Sequence, residues 1–264
     1  MVLLDGKKLS EEILDNLKKE VQNRKLKLKL AVVQVGENQV SHIFIKQKKK
    51  ACKKVGISFK LYQFHENRSR EILLEEIGKI VNDPANSGVI IQLPLPEQFN
   101  TEEFLNLIPE NKDIDVLSEK SFRKFARGES LILPPTVGAV SILFKKYRIK
   151  IRSKNIVVIG GGRLVGKPLV AWLKFQKAKF LALDKSTKNI SSYTEKADIL
   201  ISGVGKKNLI KGEMVKKGAV VVDFGGDVDF KSVSKKSSYI TPVPGGVGPI
   251  TVACLLENLV KLNK

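Results

Sequence analysis

Cysteine is nearly absent: Cys52 and Cys254 stand far apart and lack metal-ligand spacing. This argues against a disulfide framework and a structural zinc site, so no metal is expected and a reducing cytosol is the expected compartment. Aromatic residues make up only 6% of the chain and the basic residues are mostly scattered lysines. Stacking platforms for single-stranded nucleic acid are therefore poorly supplied, and nucleic acid is not expected as a partner. No apolar run approaches the roughly 18 residues of a membrane span, so no membrane partner is expected either. After Asp5-Gly6 the N-terminus reads as a charged amphipathic helix with Leu9, Ile13, Leu17 and Val21 on one side, not as a targeting leader. Acidic residues are few, 27 against 47 Lys+Arg, giving a formal net charge of +20. Such a balance keeps a protein in solution and also attracts anionic ligands.

What the chain does have is apolar content, 42% of 264 residues, enough to bury a core in one large or two smaller domains. Strand-like runs alternate with helical patterns, the signature of an α/β protein. A first series places strands at 30–35, 57–64 and 88–93, with helices over 41–55 and 70–81 between them. After a less regular stretch, 112–135, a helix over 137–147 bridges to a second series. Its short buried runs at 155–159, 180–183, 198–202 and 219–222 are spaced as in a parallel sheet.

Four local patterns carry chemistry. Thr241-Pro-Val-Pro-Gly-Gly-Val-Gly-Pro249 has little side-chain chemistry but a tightly dictated backbone: either a rigid turn before an apolar helix from Ile250, or a wall for a flat ligand. Gly160-Gly-Gly-Arg-Leu-Val-Gly166 ends a strand and opens a helix, so its N–H groups suit a pyrophosphate, though its spacing is one residue longer than G-x-G-x-x-G. Asp184 follows the next strand, where a carboxylate can meet an adenosine ribose or simply cap a solvated turn. In the helix over 41–55, the wheel puts Phe44, Lys48, Ala51, Cys52 and Val55 on one face and the other lysines outside. Lys48 thus interrupts an apolar stripe. It either snorkels to solvent or, in a cleft, has a depressed pKa and carries protons. Gln92 ends a buried strand just before Leu-Pro-Leu-Pro96, positioned to orient Lys48 or a ligand or to cap its own strand. Asp113 and Asp115 follow, as carboxylates able to accept paired N–H bonds from a heterocycle.

Together these blocks resemble the bifunctional methylenetetrahydrofolate dehydrogenase/methenyltetrahydrofolate cyclohydrolase family. The resemblance spans nearly the whole chain, through the Lys48 helix, Val89-Ile-Ile-Gln-Leu-Pro-Leu-Pro96, the Gly160 to Pro168 turn and Tyr239 to Val252. It implies two domains: an N-terminal α/β folate-binding domain, 1–136 plus 250–264, and a Rossmann-type parallel-sheet dinucleotide domain, 137–249, with the C-terminal helix returning to the first. It implies hydride transfer from methylene-tetrahydrofolate to NAD(P), then hydrolysis of the methenyl cation to 10-formyl-tetrahydrofolate, in one cleft between the domains. Lys48 would manage protons, Gln92 would be its partner and Asp115 would bind the pterin edge. Phe44, Pro242, Gly245, Gly246 and Pro249 would contact the folate. Gly160, Gly161, Gly162, Arg163, Val165, Gly166, Asp184, Lys185, Gly226 and Thr241 would contact the cofactor. A homodimer through the dinucleotide domain and a substrate with an anionic glutamate tail are also implied.

The chain departs from the family pattern at informative places. Phe44 stands where a tyrosine is usual, which motivates two alternatives: a dehydrogenase with impaired cyclohydrolase, or a non-catalytic folate- or dinucleotide-binding relative. Asp115-Val116 stands for Asp-Gly, and Pro134-Pro-Thr-Val137 for Pro-Cys-Thr-Pro, so a somewhat different path is expected there. Gly161 and Gly162 replace the usual arginine and serine of the cofactor turn. Asp184 replaces a histidine and would repel a 2′-phosphate, whereas Lys185 would attract one. NADP is the family default; Asp184 and the missing arginine favour NAD.

Overall fold

The computed structural model describes residues 1–264, apart from the side chain of Val40. In chain order the elements are β1 (Val2–Leu3), α1 (Gly6–Asn23), β2 (Lys29–Val35), α2 (Gln39–Val55), β3 (Ser58–Phe64), α3 (Arg70–Asn82), β4 (Gly88–Ile91), α4 (Thr101–Leu105), α5 (Glu119–Arg127) and α6 (Pro135–Lys146). They continue with β5 (Ile156–Ile159), α7 (Gly166–Phe175), β6 (Phe180–Leu183), α8 (Ser191–Thr194), β7 (Ile199–Ser202), β8 (Val220–Asp223), α9 (Phe230–Val233), β9 (Tyr239–Ile240) and α10 (Val247–Leu262). The chain forms two compact units, Glu11–Pro135 with Val252–Lys264, and Met1–Ser10 with Thr136–Thr251.

The first unit is built on a three-stranded parallel sheet in the order β3-β2-β4. Alternation along its strands divides the apolar residues between two faces. Leu30, Val32 and Ile90 face a cluster with Ile45, Cys52 and Val55 of α2 and Leu255, Leu256 and Leu259 of α10. Ala31, Val33, Val89 and Ile91 face Leu73, Ile77, Ile80 and Val81 of α3. Burial on both faces explains why β2 and β4 read as nearly continuous apolar runs, whereas the edge strand β3 is only partly covered.

The second unit carries a six-stranded sheet in the order β1-β9-β8-β7-β5-β6, parallel throughout. The order turns at β5, which pairs with β6 on one side and β7 on the other. In a doubly wound sheet that switch point leaves a crevice beyond the carboxyl ends of the strands.

Three expectations change. The first ten residues do not join the first unit, because Val2 and Leu3 pair in register with Tyr239 and Ile240. The stretch 112–135 contains α5, capped by Ser118 and ended by Gly128 at φ 75°. It escapes a periodicity reading because only Ser121 and Phe125 of its nine residues are buried. The strand expected to reach residue 93 stops at Ile91; the Gln92 N–H still bonds Val33 O, after which Leu93-Pro94 leaves the sheet.

Candidate active site

In the first unit the site begins with α2. Asn38 accepts from the Ser41 N–H at its start, and Gly56 ends it in the left-handed conformation at φ 89°. Its buried stripe runs Ser41, Ile45, Lys48, Ala51, Cys52 and Val55. Four of the five residues expected on one face, Lys48, Ala51, Cys52 and Val55, lie in this stripe; at its edge Ile45 fills the core while Phe44 stays 39% exposed, one turn before Lys48. Lys48 is only 8% exposed and does not snorkel out. Its Nζ donates to Gln92 Oε1 at 2.8 Å, while Gln92 Nε2 donates to Leu93 O at 2.9 Å. That second bond fixes the amide so that its oxygen faces the amine. Desolvation depresses the Lys48 pKa, against the opposing pull of Asp115 and the smaller one of Cys52. Half-buried Asp115 moves the other way, pushed up to about 6 chiefly by desolvation, with Lys48 lowering it and Asp113 raising it.

The two neighbouring carboxylates have different tasks. Asp113 is fully buried, and its carboxylate accepts from the N–H groups of Leu117 (3.2 Å) and Ser118 (2.8 Å) and from Ser118 Oγ (2.6 Å). It is thus occupied by its own chain, not presented to a heterocycle. Asp115 sits in the turn closed by the Val116 N–H bonding Asp113 O, and Val116 follows at φ 58°. Where a different path was expected for Asp115-Val116, valine adopts the backbone conformation that glycine takes without strain. Buried Asn258 of α10 ties the same turn down, donating to Ile114 O at 2.9 Å and Leu133 O at 2.8 Å. Neither the Asp113 clamp nor the Asn258 tie was legible in the sequence. The signal for the first was an Asp five residues before Ser118, the N-cap of α5.

In the second unit the expected cofactor turn joins β5 to α7. Gly160 has φ 102°, and a Cβ there would lie 2.8 Å from Gly203 O; one on Gly166 would lie 1.6 Å from Gly160 O. These two glycines serve close backbone packing. Gly161 and Gly162 instead border open space, followed by half-buried Arg163. Val165 packs its side chain over Gly203, a structural task for a residue expected at the cofactor. Asp184 is exposed after β6, its Oδ1 accepting from the Ser186 N–H (2.9 Å) and Ser186 Oγ (2.6 Å), bonds that depress its pKa. Lys185 beside it is exposed.

Two buried carboxylates that the sequence reading passed over organise the loops beyond β7 and β8. Asp223 Oδ1 accepts from the N–H groups of Gly225, Gly226 and Asp227, and Oδ2 from Val228. Desolvation raises its pKa despite these bonds. Asp227 accepts from Ser202 Oγ at 2.6 Å and from the N–H groups of Val204 (2.8 Å) and Lys206 (2.7 Å). Gly226 lies inside this network at φ 77°. Thr241 is 1% exposed, with its hydroxyl accepting from the Asp223 N–H, so it braces β8 from within.

The segment after β9 is backed by the first residues of the chain. Lys7 N–H bonds Gly245 O at 2.9 Å, and a Cβ on Gly6 would fall 1.7 Å from Gly246 O. Gly246 is buried and a Cβ there would meet Pro242 O at 2.5 Å, so its missing side chain is used by the protein itself. A Cβ on Gly245, at φ 107°, would meet nothing closer than 3.8 Å, and one on Gly248 nothing within 4 Å. Pro242 and Pro249 are half-buried beside them. The open turn at Gly161-Gly162, the N-terminus of α7 and the exposed carboxylate after β6 form a donor and acceptor set that fits a dinucleotide.

Comparison with known proteins agrees. Residues 4–115 match the family model for the tetrahydrofolate dehydrogenase/cyclohydrolase catalytic domain, and residues 134–264 match that for its NAD(P)-binding domain. Bifunctional protein FolD of Nautilia profundicola is 43% identical over 277 residues, covering 100% of this chain and 98% of that one. The crystal structure of the bifunctional enzyme FolD, a methylenetetrahydrofolate dehydrogenase/cyclohydrolase from Campylobacter jejuni, superposes with a TM-score of 0.93 at 40% identity, covering 99% and 98% of the two chains. The Trypanosoma brucei dehydrogenase-cyclohydrolase, solved with NADP and an inhibitor, gives a TM-score of 0.92 at 28% identity over 99% and 96%.

Proposed function

Because the chain belongs to the tetrahydrofolate dehydrogenase/cyclohydrolase family, with methylenetetrahydrofolate dehydrogenase and methenyltetrahydrofolate cyclohydrolase as its activities, we propose that Lys48 is the group through which protons move in the second of them. The observation that carries this reading is the buried 2.8 Å bond from Lys48 Nζ to Gln92 Oε1. Water attacking the methenyl carbon must lose a proton as the new C–O bond forms, and opening of the ring must return one to the departing nitrogen. An amine whose pKa burial lowers gives up and takes back a proton more readily than an ordinary lysine, and Gln92 holds it in place without supplying a charge. Asp115, ionised above about 6, accepts N–H bonds from the pterin edge, and Phe44 stands beside the folate on the exposed side of α2.

The dehydrogenase uses a nicotinamide cofactor, which when bound supplies the hydride acceptor. In our reading the Gly160 to Val165 turn and the N-terminus of α7 hold its pyrophosphate. Gly226 and the Asp223-Asp227 network shape the neighbouring loops, while Pro242, Gly245 and Pro249 lie along the rings. Asp184, kept ionised by Ser186, accepts a ribose hydroxyl and repels a 2′-phosphate, so NAD is preferred over NADP. β6 is a sheet edge with Leu181 42% exposed, and Phe175 at the end of α7 is 58% exposed. This open apolar edge supports a homodimer through the second unit. Its charge of +20 suits folates with anionic glutamate tails.

The test follows methenyl absorbance with methylene-tetrahydrofolate and either cofactor. In the unaltered protein the signal rises and decays; in Lys48→Met it rises and persists. Decay at the unaltered rate in Lys48→Met would remove Lys48 from the mechanism.

A further inference from the structure

Val116 is a buried, β-branched residue with φ 58°, in the left-handed region where such side chains crowd their own backbone. It immediately follows Asp115, so its conformation sets the direction in which the Asp115 turn enters and leaves. Strain of this kind persists only where surrounding bonds over-determine the backbone. Here the bonds are identifiable. On one side, Asn258 Nδ2 holds Ile114 O and the Val116 N–H holds Asp113 O. On the other, the Asp113 carboxylate collects the Leu117 N–H, the Ser118 N–H and the Ser118 hydroxyl, whose oxygen accepts in turn from Ser121 Oγ at 2.9 Å. If Val116 relaxed to negative φ, residues 117 and 118 would swing away from a fully buried carboxylate and leave it unpaired. Three bonds to a buried charged acceptor outweigh one left-handed residue.

We infer that Asp113 is a positioning residue for folate binding: by clamping residues 117 and 118 it holds Val116 left-handed and thereby fixes Asp115 against the substrate. This rests on the reading of Asp115 as the pterin-binding carboxylate. Asp113 itself touches no substrate; it acts through the backbone of its own turn. Glycine at position 116 would take the same φ unaided, so the need for the clamp is tied to the valine.

The experiment measures KM for methylene-tetrahydrofolate, KM for the cofactor and kcat in Asp113→Asn, Val116→Gly, the double variant and Asp115→Asn, with circular dichroism to establish folding. Asp113→Asn raises the folate KM about tenfold, the scale of one released left-handed residue, with kcat and cofactor KM changed by less than about twofold. In the Val116→Gly background the same change costs less than about threefold, because glycine keeps the turn without the clamp. A folate KM unmoved by Asp113→Asn but raised by Asp115→Asn overturns the clamp and leaves the Asp115 reading intact. Equal factors in both backgrounds overturn it too, since the effect then does not pass through Val116. If Asp115→Asn has the unaltered folate KM, the Asp115 reading fails and this inference fails with it. Should Asp113→Asn not fold, Ser118→Ala removes the 2.6 Å donor and the N-cap of α5 while keeping the carboxylate and its two backbone donors. It is expected to raise the folate KM about threefold with Val116 and not with Gly at that position, and the opposite pattern overturns the clamp.

Discussion

Lys48 Nζ and Gln92 Oε1 meet at 2.8 Å between the middle of α2 and the end of β4. Neither is placed by the other alone. Ile45, Cys52 and Val55 seat the helix on the sheet, and the bonds of Gln92 to Val33 O and Leu93 O seat the amide. A buried amine with a neutral partner keeps its lowered pKa, whereas a carboxylate in Gln92's position would lock it as an ammonium.

Replacing Gln92 by Met keeps the volume and deletes the acceptor. We expect cyclohydrolase turnover to fall by about 10- to 100-fold while dehydrogenase kcat falls less than about fivefold. Equal losses in both steps, measured on one preparation, would assign Gln92 to folate binding instead of proton handling.

Asp115 gives a pH signature of opposite sign in stability and in binding. Its folded-state pKa of about 6 exceeds the ordinary 3.8, so the unfolded chain gives up this proton first as pH rises. Stability is therefore greatest below the ordinary value and is lost as pH climbs through about 6, by at most about 3 kcal/mol. Asp115→Asn should raise Tm at about pH 8 and have a smaller effect at about pH 5. The folate KM of the unaltered protein should rise as pH falls through about 6, and in the Asn variant that dependence should vanish. A flat Tm difference across this range would show that Asp115 titrates normally.

Phe44 lies one turn before Lys48 and is 39% exposed, so a hydroxyl added to its ring need not be buried. Phe44→Tyr is expected to leave Tm unchanged and raise cyclohydrolase turnover by about tenfold, as a second proton-handling group would. An unchanged or lower rate would mean that the ring serves only as a wall.

Cofactor choice is read from kcat/KM with NAD and with NADP. NAD should be preferred, and Asp184→Ser should shift the ratio toward NADP by about tenfold, since it removes a carboxylate held by Ser186 and leaves Lys185. A strong NADP preference in the unaltered protein would overturn the electrostatic reading.

Asp227→Ala should cost about 3 kcal/mol or more, because three donors from residues 202, 204 and 206 lose a buried acceptor. Urea unfolding monitors it. A loss below about 1 kcal/mol would mean that these loops re-satisfy their own backbone.

How far the sequence was legible depended on the range of each interaction. The β-branched runs of β2, β5, β7 and β8 were plain because a doubly covered parallel strand is apolar at every position. Lys48 emerged from a helical wheel that placed four of its five residues in the buried stripe and missed only Phe44, at the edge of the arc, where Ile45 is buried instead. β1 was invisible: two residues carry no periodicity, and their partner β9 lies at the far end of the chain. Asp113, Asp223 and Asp227 resemble turn residues in sequence. Only folding shows that their carboxylates face inward to backbone N–H groups.

Gly6 and Gly246 share one space from opposite ends of the chain, with Lys7 bonded to Gly245 between them. Mutational tolerance at the first residues is thereby coupled to a segment with which they have no sequence proximity. A change at Gly6 acts as a remote mutation of the glycine wall, because any side chain there meets the main chain of Gly245 and Gly246.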